Sequence, residues 1–430
     1  MIKVLYVVAG DTSFDEMLYL DQFISQLDHR TIENHVLVPT LPAAQITLQE
    51  RRTILTQAKP GFGHEEWQEL LADYEPQIVI ICDPAVVLTE DAENLSYLSP
   101  HWLDDIPCVV AVMDFRMSLL KTPEGHLALK QYILGGVTPP HTMDYDFLIK
   151  VCPPHDAIET QSPKLFQWGT QDLLSSLSIY NIRQDVRMQL GCKEDSRLIT
   201  LVFPIENSLM ASEKGLFEHF SILIETVIYY LNQLEDDCVL AVINMPPPFE
   251  DYDFDNVQVR FFPTLDLSLL NNLLKSTELF LTESLTYPGL SQSALRDIPG
   301  ITFGSSLSLN AAGEFEYAFE NLHPFLQMKL DVLKEENPEL LFPYLSFPSH
   351  YKGDWLQTEL FREKNLFYLA DLFDADKSIR MIRELLNGGA YLDQFKTELQ
   401  NFRQKKLELT QDAESIIRTL VTAPPRHLGL

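Results

Sequence analysis

The chain has 430 residues, of which 46% are hydrophobic and 10% aromatic, a composition too apolar for a disordered tail. Single hydrophobic cores tend to stop growing near ~250–300 residues, so this length favours two domains. The 62 acidic residues outnumber the 32 basic ones and give a formal net charge of −30, which argues against binding to nucleic acid or to an anionic membrane.

The five cysteines lie in mostly apolar surroundings and include no CxxC pair. This pattern predicts reduced thiols in the core of a cytoplasmic protein. The N-terminal segment turns acidic after a short apolar run, and no uncharged stretch approaches the ~18 residues that a membrane-spanning helix needs. We therefore expect neither a secretion signal nor membrane insertion.

In the first part of the chain, short apolar runs alternate with amphipathic stretches, a pattern typical of β-α units around a parallel sheet. The β-branched run at residues 2–9 predicts a strand covered on both faces. Ser13 and Glu16 form a capping box that predicts the start of a helix. Further strands are predicted at residues 34–38, 77–82, 108–113 and 146–152.

A second α/β series begins with the fully apolar run at residues 198–203. The clearest helix in the chain starts near Ser212, and its apolar residues recur at spacings of three and four. Further strands are predicted at residues 238–243, 257–262, 279–282 and 301–303. The sequence thus predicts an α/β fold with two domains, residues 1–185 and residues 186–430, the second ending in helices.

Three stretches resemble the GT-B glycosyltransferases. VQVRFFPTLDLSLLNNLLKSTELFLTE, residues 257–283, is similar to the donor-domain core, where a strand ends in an aromatic-x-Pro turn before a helix. GLSQSALRDIPGI, residues 289–301, and IRQDVRMQLGCKEDSRLITLVF, residues 182–203, resemble two further motifs. The resemblance implies two Rossmann-like domains that face each other across a cleft, an acceptor domain followed by a nucleotide-sugar donor domain.

The resemblance also implies a donor site at a helix N-terminus, where free backbone N–H groups meet a diphosphate. Phe261 is expected to stack on the base, and the Pro263-Thr264 backbone to read the base's edge. Gly289 permits close backbone approach, and Ser291 is expected to cap the helix. The full set implied in donor binding is Arg260, Phe261, Pro263, Thr264, Gly289, Ser291, Gln292 and Ser293.

The chain departs from the family pattern at this site. The glutamate that usually binds the donor ribose falls on Ser293, which is shorter and neutral, and Gln292 is a possible substitute. Glu283 places a carboxylate near the expected diphosphate, which Coulomb repulsion disfavours. Retaining members carry two glutamates in E-x7-E spacing, but Ser291 stands eight positions after Glu283. The sequence therefore favours inversion.

An inverting transfer needs a base that takes the acceptor's proton. Asp11 follows the first strand and Asp114 ends the strand at 108–113, so both are catalytic candidates. Each is equally well explained as an ordinary strand-end aspartate, as is Asp83. His155-Asp156 is a further pair of polar neighbours. No metal-ligand motif occurs, so we expect no metal and no cofactor apart from the nucleotide-sugar co-substrate.

These patterns favour a cytoplasmic glycosyltransferase of the hexosyltransferase type, which moves a sugar from a nucleotide sugar to a small-molecule or peptide acceptor, with inversion. Two alternatives stay open. One is a GT-B-like binding or scaffold protein without turnover, which the missing glutamate favours. The other is a nucleotide-sugar epimerase, which keeps the fold and changes the chemistry.

Overall fold

The structure is a computed structural model, and its described parts form two compact units, Met1–Gln171 with Phe402–Leu430, and Asp172–Asn401. The described residues are 1–9, 14–38, 53–58, 61–88, 98–103, 106–114, 119–121, 126–129, 142–151, 165–168, 176–193, 195–203, 217–245, 249–263, 267–283, 288–310, 312–317, 320, 322–336, 366–409 and 411–423.

The first unit is built on a seven-stranded sheet in which all described pairs are parallel. The elements in chain order are β1 (Ile2–Val7), α1 (Phe14–Ser25), β2 (Ile32–Val38), β3 (Ile54–Gln57), α2 (His64–Tyr74), β4 (Ile78–Ile81), α3 (Pro84–Val87), β5 (Val109–Asp114), β6 (Leu119–Lys121), β7 (Leu127–Leu129), β8 (Phe147–Val151) and β9 (Leu165–Trp168). The strand order is β3-β2-β1-β4-β5-β8-β9, and β6 and β7 form a separate antiparallel pair.

The apolar strands are covered on both faces, as a parallel sheet requires. Every residue of β4 and β5 is buried, which confirms the strands predicted there. Trp67 of α2 lies in the core on one face of the sheet, together with Leu5 and Val79. Elsewhere in the unit Phe23 meets Trp168 edge to face, with ring centroids 5.2 Å apart.

The second unit also contains a seven-stranded sheet, in the order β12-β13-β11-β10-β14-β15-β18. Among the described strands of this sheet, only β12, at one edge, pairs antiparallel with its neighbour, and β16 and β17 form a separate antiparallel pair. Its elements are α4 (Ser176–Gln189), β10 (Arg197–Val202), α5 (Phe217–Asn232), β11 (Cys238–Ile243), β12 (Tyr252–Phe254), β13 (Val257–Phe262), α6 (Leu267–Ser276), β14 (Leu279–Thr282), α7 (Pro288–Leu295), β15 (Gly300–Gly304), β16 (Ser308–Leu309), β17 (Phe315–Glu316), α8 (Pro324–Glu336), β18 (Phe367–Asp371) and α9 (Ala375–Asn387).

Two helices close the chain, α10 (Ala390–Leu409) and α11 (Ala413–Thr422). The side-chain oxygen of Gln26 accepts both the backbone N–H of Ala413 and the indole N–H of Trp168, each at 3.0 Å. Asp412 caps α11 by accepting the N–H of Ser415. These bonds join the last helix to α1 and β9, and so to the first unit.

The two units confirm the predicted fold class, an α/β protein with two parallel-sheet regions and terminal helices. The unit boundary at 171/172 differs from the predicted change near 185. The reason is that α4 joins the second unit, where Arg183 donates to the carbonyl of Lys275 and Arg187 pairs with Glu278. The segment from Phe402 onward joins the first unit, whereas the sequence placed it in the second.

No helix in the described part of the chain combines the length and the apolar character needed to cross a lipid bilayer.

His35 is a buried histidine of β2. Its Nε2 lies 2.7 Å from the hydroxyl of Thr56, and its ring meets Tyr74 edge to face. Nδ1 is buried and has no hydrogen-bond partner among the described residues. Burial lowers the pKa of His35, because the charged imidazolium is poorly solvated there.

We expect the free energy of unfolding to depend on His35 in mild acid. The folded-state pKa lies below the unfolded value of about 6.5, so the unfolded chain binds the proton first and stability falls as the pH drops below 6.5. Replacing His35 with Phe removes this contribution and flattens the curve between pH 6.5 and 5, measured by urea denaturation. His64→Phe, at an exposed position of α2, is the matched control. Equal slopes for wild type and His35→Phe would contradict the assignment.

Candidate functional site

In the second sheet, the chain leaves β10 toward β11 on one side and later builds β14 on the other. In such a doubly wound sheet, ligands bind at the carboxyl ends of the strands, near the point where the strand order reverses. Described residues that immediately follow strands at this edge are Phe203, Asn244, Pro263, Glu283, Ser305 and Leu372. This edge is the first candidate site.

Phe261, the predicted base-stacking residue, lies near the end of β13 in an aromatic cluster. Its ring stacks on Phe249, with centroids 5.3 Å apart and an angle of 27° between the planes, and Tyr252 lies at 6.0 Å. Its backbone N–H donates to the carboxylate of Asp251 at 2.8 Å. The ring is half-buried, so the cluster offers a planar aromatic surface that Phe249 already shares.

Arg260 lies on the opposite side of β13 from Phe261, because neighbouring residues of a strand point to opposite faces. Its guanidinium donates to Asp253 at 2.9 Å, so part of its charge is neutralised. It lines a cavity of about 270 Å³ with Phe262, Leu190 of the α4 end and Leu273 of α6. Phe261 also lines this cavity, although its side chain leaves β13 on the opposite face.

Helix α7 contains the predicted phosphate-binding residues. Gly289 is buried in its first turn, and Ser293 is fully buried, with its hydroxyl donating to the carbonyl of Leu290 at 2.9 Å. A Cβ added at Gly300 would come within 2.9 Å of Leu290, so β15 packs closely under this helix. The hydroxyl of Ser293 therefore donates its hydrogen bond within α7.

The side chains of several predicted site residues lie outside the described part of the structure. Ser291 belongs to α7, but its side chain and that of Gln292 lie outside the described part of the structure. Pro263 is exposed directly after β13, and Thr264 lies outside the described residues, as does the catalytic candidate Asp11. The His155-Asp156 pair likewise lies outside them.

In the first unit, three charged residues form a row at the carboxyl ends of β4, β5 and β8. Asp114 is paired in register with Lys150, and the β4–β5 register, continued by two residues beyond Ile81, places Asp83 opposite Asp114. One carboxylate oxygen of Asp83 accepts the N–H of Ala9 at 2.8 Å. This row gathers two predicted strand-end aspartates beside a lysine.

All three members of the row are buried, with exposures of 1% for Asp83, 1% for Asp114 and 7% for Lys150. A buried carboxylate costs several kcal/mol unless a positive charge or hydrogen bonds compensate it. Lys150 stands in register beside Asp114 and is the positive charge in the row. The arrangement provides a buried carboxylate at the edge where ligands bind in such sheets.

Sequence reasoning missed Lys150. The signal was a lysine inside the otherwise apolar strand FLIKV, because a charge in a buried strand usually has a partner. It also missed the contact between His126 Nδ1 and the carboxylate of Asp144. An antiparallel bridge between Leu127 and Met143 places these two side by side, before β8 begins, so we do not include them in the carboxyl-edge site.

The core position predicted for the cysteines is confirmed for three of the four that the structure describes. Cys82, Cys108 and Cys238 are buried and Cys192 is half-buried, and all four are free. Burial raises the pKa of Cys108 and Cys238 to about 12, so neither is a reactive thiolate near neutral pH. No group of three or more His, Cys, Asp or Glu side chains suited to a metal ion occurs among the described residues.

One sequence family matches almost the whole chain. Its profile is described as a family of unknown function, DUF6365, and it covers residues 23–423. The chain belongs to this family. A comparison with curated proteins gives no match.

Two of the solved structures similar to this member of DUF6365 are sugar transferases by title. Spinosyn rhamnosyltransferase SpnG has a TM-score of 0.50 at 12% identity, over 97% of this chain and 100% of that one. Spinosyn forosaminyltransferase SpnP has a TM-score of 0.51 at 11% identity, over 98% and 100%. Arabidopsis thaliana UGT89C1, complexed with UDP, has a TM-score of 0.50 at 10% identity, over 98% and 99%. At such identities the likeness shows the fold, and it confirms the predicted GT-B resemblance.

We expect Lys150 and Asp114 to be energetically coupled. Lys150→Met leaves the buried carboxylate without its positive neighbour and should lower the free energy of unfolding by about 3–5 kcal/mol. Asp114→Asn in the same chain should recover part of this loss, which a double-mutant cycle in urea measures. Lys193→Met, at an exposed position, is the control. A coupling energy near zero would show that the two side chains act independently.

Proposed function

We propose that the chain is an inverting glycosyltransferase of the hexosyltransferase type, which moves a sugar from a nucleotide sugar to a small-molecule or peptide acceptor. The observation that carries the proposal is the near-full-length likeness to sugar transferases. SpnG also appears complexed with thymidine diphosphate, and UGT89C1 with UDP. The free, buried cysteines are compatible with action in the reducing cytoplasm.

In this proposal the second unit binds the donor. Phe261 offers a half-buried ring for the base, and the backbone at Pro263-Thr264 contacts the base's edge. The first turn of α7, with Gly289, Ser291 and Gln292, supplies free N–H groups to the diphosphate, because a helix N-terminus carries a partial positive charge. Arg260 contributes only a weak, longer-range positive charge to the donor site, because its guanidinium already pairs with the carboxylate of Asp253.

The first unit supplies the base. A carboxylate, Asp114 or Asp11, takes the proton of the acceptor hydroxyl or amine as that atom forms a bond to the anomeric carbon of the sugar. The bond from that carbon to the diphosphate oxygen breaks, and its electron pair leaves with the nucleoside diphosphate. Attack from the face opposite the leaving group inverts the configuration. The step uses no metal and no redox cofactor.

A second function has support from one observation. The family's ribose glutamate falls on Ser293, and that side chain is buried and bonded to Leu290. Without the carboxylate the donor is held by fewer contacts, which favours a GT-B-like binding or scaffold protein without turnover. Transfer of labelled sugar separates the two functions, and product analysis separates transfer from epimerisation.

We expect a nucleoside diphosphate to stabilise the purified protein. A ligand at 100 times its Kd adds about 2.7 kcal/mol to the free energy of unfolding, and a thermal-shift screen with UDP, TDP, GDP and ADP, with calorimetry, detects it. Phe261→Ala should abolish most of the effect because the base loses its stacking surface. Phe254→Ala, at an exposed position of the neighbouring strand, is the matched control. No response to any nucleotide from a folded sample would refute the donor site.

We expect Asp114→Asn to reduce kcat by about 10²–10⁴-fold if Asp114 is the base, with nucleotide affinity unchanged, because the amide cannot take the acceptor proton. Asp11→Asn is assayed in parallel, and Asp297→Asn, at an exposed turn, is the control. Calorimetric Kd values show whether each variant retains its donor site. If both Asp11 and Asp114 variants keep kcat within twofold of wild type, the base lies elsewhere.

A further inference from the structure

Asn244 follows β11 directly and has an unusual backbone. Its φ is +63°, in the left-handed region that non-glycine residues adopt at some cost. The other described non-glycine residues with positive φ are Glu75, Glu235, Asp255 and Asp297, and all four are exposed. Asn244 is 1% exposed. It is thus the buried exception in the described part of the chain.

The side chain of Asn244 is only half satisfied. Its Nδ2 donates to the carbonyl of Phe203, at the end of β10, over 2.8 Å. Turning the amide over would set two oxygens against each other, so the assignment of nitrogen and oxygen is fixed. Oδ1 is buried and has no hydrogen-bond partner among the described residues. Buried acceptors are nearly always paired, and the exceptions call for an explanation.

The position of Asn244 in the sheet indicates where a hydrogen-bond donor for Oδ1 would come from. β11 lies between β13, which carries Phe261, and β10, beyond which β14 leads to α7. The N–H of Met245 donates to the carbonyl of Phe262, which ties the two strand ends together. Parallel strands are ~4.8 Å apart, so a ligand that reaches from β13 to β14 passes over the ends of β11 and β10.

In a nucleoside diphosphate, the ribose connects the base to the diphosphate. We propose that Oδ1 of Asn244 accepts a hydrogen bond from a ribose hydroxyl of the nucleotide donor, in place of the glutamate that falls on Ser293. This inference rests on the proposed function, since it places the base at Phe261 and the diphosphate at α7. A neutral amide also adds no charge beside the diphosphate, unlike a carboxylate.

The test compares Kd values, by calorimetry, for UDP with its 2′-deoxy and 3′-deoxy forms, and for TDP with its 3′-deoxy form. Wild type should bind the form that lacks the contacted hydroxyl about 5–10-fold more weakly, as expected for one neutral hydrogen bond. Asn244→Gly keeps the positive φ without strain and removes the acceptor. It should bind the parent nucleotide about 5–10-fold more weakly and no longer discriminate between the forms.

Two further variants make the test decisive. Asp255→Gly, at another position of positive φ, controls for the effect of glycine on the backbone and should behave as wild type. Asn244→Asp keeps an acceptor oxygen but sets its second oxygen against the carbonyl of Phe203 and adds a charge beside the diphosphate, so it should bind the parent nucleotide more weakly and still discriminate between the forms, even if Asn244→Gly does not fold. Unchanged discrimination in Asn244→Gly overturns the ribose contact and leaves the proposed function standing. Absence of nucleotide binding in wild type overturns both.

Discussion

Parallel pairing of strands that are buried on both faces is the constraint on which the rest of this molecule depends. The hydrogen bonds of β1, β4 and β5, and of β10, β11 and β14, all run between strands of the same direction. Such sheets need helices on both faces and a crossover between successive strands. The alternation of apolar runs and amphipathic helices along the chain is the direct consequence.

The same constraint decides where polar chemistry is found. In a parallel sheet every strand ends at the same edge, so the residues that follow different strands become neighbours. Asp83, Asp114 and Lys150 come from distant parts of the chain and form one row in the first unit. In the second unit Asn244 meets the carbonyl of Phe203 in the same way. Each group lies buried at an edge, where its free energy depends on its neighbours or on a ligand.

The two units differ in what their edges offer. The edge of the first unit carries buried charged residues, with one carboxylate that accepts the backbone N–H of Ala9 and another in register with a lysine. The edge of the second unit carries neutral groups, an aromatic cluster around Phe261 and an unpaired amide oxygen at Asn244. The charged edge of the first unit suits proton transfer. The aromatic cluster and the amide oxygen at the edge of the second unit suit a planar nucleobase and the hydroxyl groups of its ribose. The proposed reaction requires both.

The sequence by itself determined the elements and the fold class. Apolar runs such as 198–203 and 238–243 predict buried strands because few other structures bury every residue of a short run. Two strands of mixed composition escaped prediction: β3 (ILTQ) and β9 (LFQW) contain polar residues, whereas the equally short β4 (IVII) is wholly apolar and was predicted. The GT-B resemblance was readable from three local motifs, since each reflects a strand, a turn and a helix in fixed succession.

The tertiary structure alone decided which residues meet. The strand pattern indicates that Lys150 is buried, but only the register of β5 with β8 places it beside Asp114. The sequence grouped Arg260 with Phe261, and both line one cavity, but only the structure shows that their side chains leave β13 on opposite faces and that Arg260 pairs with Asp253. The placement of α4 in the second unit and of α11 in the first goes with long-range bonds to Lys275 and Gln26. Such contacts join residues from 92 to 387 positions apart, and local patterns of hydrophobicity carry no information about them.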